Sequence, residues 1–396
     1  MAANCRIVTG VGTAIPAESS PLPRDARKDI VITATAPNAG SRTGARKEKH
    51  LVICTDPSRF PVEGKGGGFE RVRFAHNALP EIAEQELDTS ATFLGARIAM
   101  PLFISCMTGG SEGGFKANRL LAAAAQELRI PVGLGSFRVL FENPELFPHF
   151  HVKPLAPDVP VLANISAVQV RDGDLPTLLS LVQRLEAQAL VVHLNAGQEL
   201  FQPEGDRDFR GLKQAIARLC EASPRPVIVK ETGFGITPSL VRELLGAGAA
   251  YVDLAGAGGT NWVTVESYRL PQEERSAAAE FADWGTPTAV LLAACRTGCD
   301  RVLASGGIRS GMDAAKAVAM GAALAGTALP AIRAVMSGGA EAVVKYFRGL
   351  EKTLRSVMLL TGSRTTAELR RGTVWLEPSL AATVESFGRT SLADSR

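Results

Sequence analysis

Aromatic side chains with polar edges are scarce in this 396-residue chain, which has three tyrosines and three tryptophans. So few argue against a platform on which successive bases of a single strand could stack. No charge of either sign is in excess: Lys and Arg number 43 against 40 acidic residues, a formal net charge of +3. No basic helix interleaved with aromatics stands out, so nucleic acid is not an expected partner. Cysteine is sparse and scattered, at Cys5, Cys54, Cys106, Cys220, Cys295 and Cys299. Only the last two are close, at the spacing of helix neighbours, and reduced thiols in a reducing compartment are expected. Five histidines include His149 and His151 but no HExxH and no Cys/His cluster, which argues against zinc. Long hydrophobic runs are missing as well. The most apolar stretch, Ala317 to Ile332, is too short and too rich in glycine to span a bilayer, and Lys316 and Arg333 flank it. The N-terminus lacks a charged start followed by an apolar block, so no secretory signal is expected and the chain reads as cytoplasmic.

What is present is an ordinary globular composition, 46% hydrophobic and 21% charged, organised by repetition. Residues 1–44 are rich in Ala, Pro, Ser, Thr and Arg without periodicity and read as a mobile extension; residues 386–396 read as a polar tail. Between them, over 45–385, short apolar runs alternate with helical patterns. The runs begin at Pro101, Val132, Val161, Leu190, Val227, Tyr251, Arg301 and Ala322, and each ends in small or polar residues. Helical segments fall between them, among them those starting at Asn118, Leu175, Phe209, Ser239 and Met312. Continuously apolar strands are buried on both faces and call for a parallel sheet. Eight of them, each with a helix after it, give an α/β protein of the (β/α)8 TIM-barrel class with an N-terminal extension. A doubly wound sheet would show fewer strands and a Gly-rich turn after the first.

In such a barrel the chemistry sits at the C-terminal strand ends and in the loops that follow. SGGIRSG (305–311) follows the seventh run and GTALP (326–330) the eighth, each entering a helix. Backbone N–H groups there suit a phosphate, with Arg309 adding a charge; the bland alternative is a pair of tight turns. Lys230 ends a buried strand, where an ammonium needs an anion or a lowered pKa. Glu231 beside it faces the other side of the strand. A Schiff base, a positive charge beside an anionic flavin ring, or a structural ion pair all fit. MTGG (107–110) and GAGGT (256–260) bring bare backbone to the mouth, where a flat ring can approach closely. Together these features describe a phosphorylated planar cofactor, and FMN fits best. Residues 256–284 form an unusually long connection which, with Trp262, is a candidate lid or wall; a surface insertion or oligomer contact is the alternative. RKEKH (46–50) is either a solvated face or a segment folded over the mouth to hold a diphosphate. HLNAGQE (193–199) places four polar side chains at the end of the fourth strand, where each must find a partner.

With these pieces in place, the sequence resembles the type 2, FMN-dependent isopentenyl-diphosphate isomerases from about Ala45 to about Gly362. The matching pieces include RKEKH, GFERVRFAHNALPEI (68–82), PLFISCMTGG (101–110), GLGSFR (133–138), LANISAVQ (162–169), HLNAGQE, QPEGDRDF (202–209), VKETGFGI (229–236), DLAGAGGTNW (253–262) and DWGTPT (283–288). The glycine-rich run from Ala304 to Ala322 matches too. The resemblance implies interconversion of isopentenyl and dimethylallyl diphosphate, with reduced FMN, Mg2+, and NADPH to reduce the flavin. It implies flavin contacts at Met107, Thr108, Gly109, Ser136, Asn164, Lys230, Thr260, Gly307, Arg309, Ala328 and Leu329. It implies substrate contacts at Arg46, Lys47, His50, His193, Asn195, Gln198 and Trp262, and a Mg2+ ligand at Glu199, a hard oxygen donor. The flavin N5 would act as acid and base, supported by Lys230, His193 and Gln198, in a homo-oligomer of four or eight chains. Two departures stand out. Phe137 occupies the glutamine position of the family's GSQR, and the small Ala196-Gly197 pair implies a looser loop. The competing readings are another FMN-dependent barrel, oxidising a hydroxy acid or reducing a C=C bond, and a non-catalytic paralogue.

Overall fold

In a computed structural model the described residues are 42–295, 301–372 and 374–393. The expected extension therefore lies outside them, apart from its last three residues, which belong to the first helix. The eight apolar runs form eight parallel strands: β1 (Leu102–Ile104), β2 (Val132–Ser136), β3 (Val161–Ser166), β4 (Ala189–Leu194), β5 (Val227–Glu231), β6 (Tyr251–Asp253), β7 (Val302–Leu303) and β8 (Ala325–Thr327). Consecutive strands pair, and β8 returns to pair with β1, Ala325 opposite Leu102. A bridge between Ala304 and Ala325 closes the ring, with Gly326 N donating to Ala304 O at 2.8 Å. This is the (β/α)8 barrel.

Seven connections carry helices, including α2 (Glu112–Leu128) after β1, α7 (Gly311–Ala319) after β7 and α8 (Leu329–Leu360) after β8. The others are α3 (Leu175–Arg184), α4 (Leu212–Ala222), α5 (Pro238–Gly246) and α6 (Thr288–Cys295). Their starts are set by caps such as Ser111, which accepts from Gly114 N, and Ser310, which accepts from Asp313 N. The connection after β2 departs from expectation. It holds three short 3-10 turns, Arg138–Phe141, Pro144–His149 and Lys153–Leu155. Pro144, Pro148, Pro154, Pro157 and Pro160 punctuate it, and proline removes donors and clashes with a preceding turn. The apolar stretch 317–332 resolves into the end of α7, β8 and the start of α8. No helix among the described residues is long and apolar enough to cross a membrane. A helix from Pro378 to Ala393 runs into the segment expected to be a polar tail.

The barrel interior is filled near its N-terminal end by Phe103, Leu162, Ala189, Val191, Ile228 and Leu303. A hairpin of Ala91–Phe93 and Ala96–Ile98 plugs that end with Phe93 and Ile98. At the other end lies α1 (Arg42–Thr55), which buries Ile53 and Cys54 against Val62, Val265 and Leu329. One end of the barrel is thus closed by apolar packing and the other is roofed by a basic helix.

Candidate active site

Under that roof opens a cavity, and every residue assigned above to cofactor, substrate or metal lines it. The charge run at 46–50 is therefore no solvated face. Helical spacing puts Arg46, Lys47 and His50 on the inward side of α1, and all three reach the cavity. Lys47 Nζ donates to Ser136 O at 2.6 Å. Burial, then the neighbouring charges of Arg46 and Arg138, pull its pKa down to about 7. Arg138 lines the same wall.

The strand-four segment is organised by hydrogen bonds. His193 Nδ1 lies 3.0 Å from Asn164 Oδ1. Burial, with Lys230 and Lys47 nearby, pushes the imidazole down to about 3, so His193 is neutral. Asn195 Nδ2 donates to Glu199 Oε1 at 2.8 Å, and the Asp206 amide donates to Oε2 at 2.9 Å. Arg207 binds the carbonyl of Glu199 and that of Gln202, which clamps the loop after β4. The segment is not loose, contrary to the expectation from Ala196-Gly197. Ala196–Phe201 is helical, and a Cβ at Gly197 would stand 2.3 Å from the Phe234 ring. Glycine is what lets the two loops meet. Phe137 also behaves unlike a glutamine: it is 1% exposed, packs near Phe141 and does not line the cavity.

The long connection after β6 is a wall rather than an unstructured lid. It contains the helices Trp262–Ser267 and Arg275–Ala279. Trp262 meets His50 edge-on with ring centroids 5.3 Å apart. One turn later sits Glu266, fully buried and unassigned in the sequence reading. It lies 2.9 Å from His50 Nε2, accepts from Gln198 Nε2 at 2.9 Å and pairs with Arg269. With its amide turned so that the nitrogen faces Glu266, Gln202 spans the gap between Glu266 Oε1 and Arg46, at 3.2 and 2.7 Å. Burial works against the charge, yet His50, Gln198 and Arg269 hold the Glu266 carboxyl down to about 2. The available signal was positional, an acidic residue one turn after Trp262.

On β5, Lys230 Nζ donates to Glu231 O at 2.7 Å and lies 3.6 Å from Asp253 Oδ2 and 3.5 Å from Ser305 Oγ. The Glu231 carboxylate is turned away, onto the amides of Gly233, Phe234 and Gly235. The anionic partner is Asp253, at the end of β6, which the sequence reading did not single out. No Schiff base is needed to explain a lysine here.

Beyond β7, Gly306 and Gly307 have φ of 92° and 78°, and a Cβ on Gly306 would meet Gly256 O at 2.1 Å. Only glycine fits that turn. The α8 helix starts without a side-chain cap at Ala328, and Ala328 and Leu329 line this end of the cavity. Arg309 lines this end and is tethered by Glu63, 2.6 Å from Nε. Ser105 Oγ, at the end of β1, is buried at the cavity without a partner. An anion at the helix start and a polar ring near Ser105 are what this surface can take. Among the described residues no group of three His, Cys, Asp or Glu forms a metal cage. A cation here would rest on Glu199 and on its own ligands.

Fold and site together define an FMN-type barrel protein, with glycine-rich loops after β7 and β8 and a lysine beneath the mouth. A family model described as FMN-dependent dehydrogenase matches residues 63–140 and 171–376, most of the chain. An isopentenyl-diphosphate delta-isomerase of Synechococcus sp. is 45% identical over 337 residues, covering 84% of this chain and 96% of the relative. The protein of the same description from Borrelia garinii subsp. bavariensis is 42% identical over 342 residues, covering 86% and 96%. The chain belongs to the isopentenyl-diphosphate delta-isomerase family. A flavocytochrome b2 variant with pyruvate bound superposes with a TM-score of 0.63 at 19% identity, covering 84% of each chain, which speaks to the fold alone.

Proposed function

We propose that this protein interconverts isopentenyl and dimethylallyl diphosphate in isoprenoid precursor synthesis, using reduced FMN, Mg2+, and NAD(P)H to reduce the flavin. The observation that carries this reading is the division of one cavity wall: glycine-rich loops and Lys230 on β5 to β8, cations and a carboxylate on α1, β2 and β4. FMN bound there supplies an acid/base at the ring for protonating the alkene and removing a neighbouring proton. Gly307, Arg309 and the α8 start would hold its phosphate, with Thr108, Ser136, Asn164 and Thr260 along the ring system. Lys230 would face the ring's negative end. Arg46, Lys47 and Arg138 would take the diphosphate, and Glu199 would share Mg2+ with it. Glu199 fits a cation: each oxygen accepts one strong bond, from Asn195 or Asp206, and keeps a further lone pair. Trp262 and Leu51 would give the C5 tail an apolar surface, and Gln198, held by Glu266, would stand near its reacting end.

Hydroxy-acid oxidation is the weaker reading. It needs a base near neutrality, and His193, pushed down to about 3, takes up a proton poorly. The test is anaerobic incubation with FMN, NADPH, Mg2+ and labelled isopentenyl diphosphate. The expected result is dimethylallyl diphosphate without stoichiometric NADPH consumption. Substrate-linked NADPH oxidation would establish the redox reading, and absence of flavin binding would remove both.

A further inference from the structure

We infer that Asp253 is a positioning residue for Lys230: through a Ser305-braced ion pair it holds that ammonium aimed at the reduced flavin. The inference rests on the FMN site proposed above. Lys230 and Asp253 are register partners on adjacent parallel strands, so their side chains leave the barrel wall side by side. Asp253 is 1% exposed and does not line the cavity, whereas Lys230 and Ser305 do. Asp253 therefore acts through its neighbours.

The carboxylate is held from three directions. Ser305 Oγ lies 2.8 Å from Oδ1 and 2.9 Å from Oδ2, and Ser305 N donates to Oδ1 at 3.0 Å. Lys230 stands 3.6 Å from Oδ2. The other titratable groups around Lys230 do not compete for its charge. His193, its register partner on β4, is neutral. The Cys106 thiol after β1 is pushed up to about 12 by burial and stays protonated. Glu231, on the same strand, gives its carboxylate to the amides of Gly233, Phe234 and Gly235. Asp253 is the anion that fixes the ammonium, holding it where the reduced ring becomes negative.

The experiment reads the flavin rather than turnover. Wild type and Asp253→Asn are loaded with FMN and reduced anaerobically with dithionite, and the spectrum of the bound reduced flavin is titrated with pH. With Lys230 no longer held toward the ring in the variant, the ring keeps its own proton longer. Its apparent pKa rises by at least about one unit, a tenfold change in the anion fraction. Ser305→Ala keeps both charges but deletes the hydroxyl that braces Asp253, and shifts the titration the same way by less. An Asp253→Asn titration that overlays wild type, or moves to lower pH, overturns the inference. If that variant does not fold, an unmoved titration in Ser305→Ala overturns it instead. Wild type that takes up no FMN refutes the proposed function and this inference with it; wild type that binds FMN while the variants are unmoved refutes this inference alone.

Discussion

Lys47 should make substrate binding depend on pH in a direction the structure sets. Its pKa is pulled from 10.5 to about 7 by burial and by Arg46 and Arg138. A diphosphate placed among these cations favours the ammonium and raises that pKa again in the complex. A group whose pKa is raised by binding adds affinity that is full below the free value and lost as pH climbs through it. The window therefore opens at about pH 7, and above it each unit costs about 1.4 kcal/mol, tenfold in affinity. Two units take KM up by as much as about a hundredfold, with kcat far less affected. Titration of inorganic pyrophosphate into the Mg2+-loaded protein, in two buffers of different ionisation heat, should show uptake of about half a proton at pH 7. Lys47→Arg is the control, because a guanidinium stays charged throughout and the ligand's own ionisation is common to both proteins. A wild-type KM that stays flat, or one that rises identically in Lys47→Arg, would refute the reasoning.

Glu199→Gln should raise the Mg2+ concentration for half-maximal rate at least about tenfold while FMN affinity, read by fluorescence, stays put; an unchanged metal titration removes the ligand assignment. Glu266 has a folded pKa of about 2 against an ordinary 4.5. Its ionisation thus adds about 3 kcal/mol of stability above pH 4.5, lost as pH falls from there toward about 2. Urea denaturation of Glu266→Gln at pH 7 should show most of that loss, and equal midpoints would contradict it. Phe137→Gln, which restores the family's usual residue, should destabilise by about 3 kcal/mol by burying an amide in an apolar site, with FMN affinity unchanged; a tighter flavin would show that residue 137 reaches the cavity after all. Gly197→Ala should raise KM through the clash with Phe234 and be rescued by Phe234→Leu, an outcome that steady-state kinetics of the double variant decides.

The barrel was legible because its strands are buried on both faces, so runs such as Ala189 to Val192 are continuously apolar and need no partner to be recognised. The mouth was legible for the same reason: a polar residue after such a run, as at Asn164, His193 or Lys230, stands where water is excluded. The crossover after β2 was assigned to a helix by analogy with its neighbours, although its prolines already forbade one. Interactions between loops were out of reach. Glu266 matters because a helix inside the long β6 connection meets α1 from the other end of the chain, and no local pattern carries that meeting.

The partner of Lys230 is a different case, because the information was present and went unused. In a strand the adjacent residue faces the opposite side, which removes Glu231. In a parallel barrel only two strands flank β5, and both are known once the order of runs is known. Aligning the polar ends of the runs sets His193 on one side of Lys230 and Asp253 on the other, the register observed. Of those two only Asp253 carries negative charge. A buried cation at the end of one barrel strand therefore finds its anion at the end of the next, and the search runs across strands rather than along the chain.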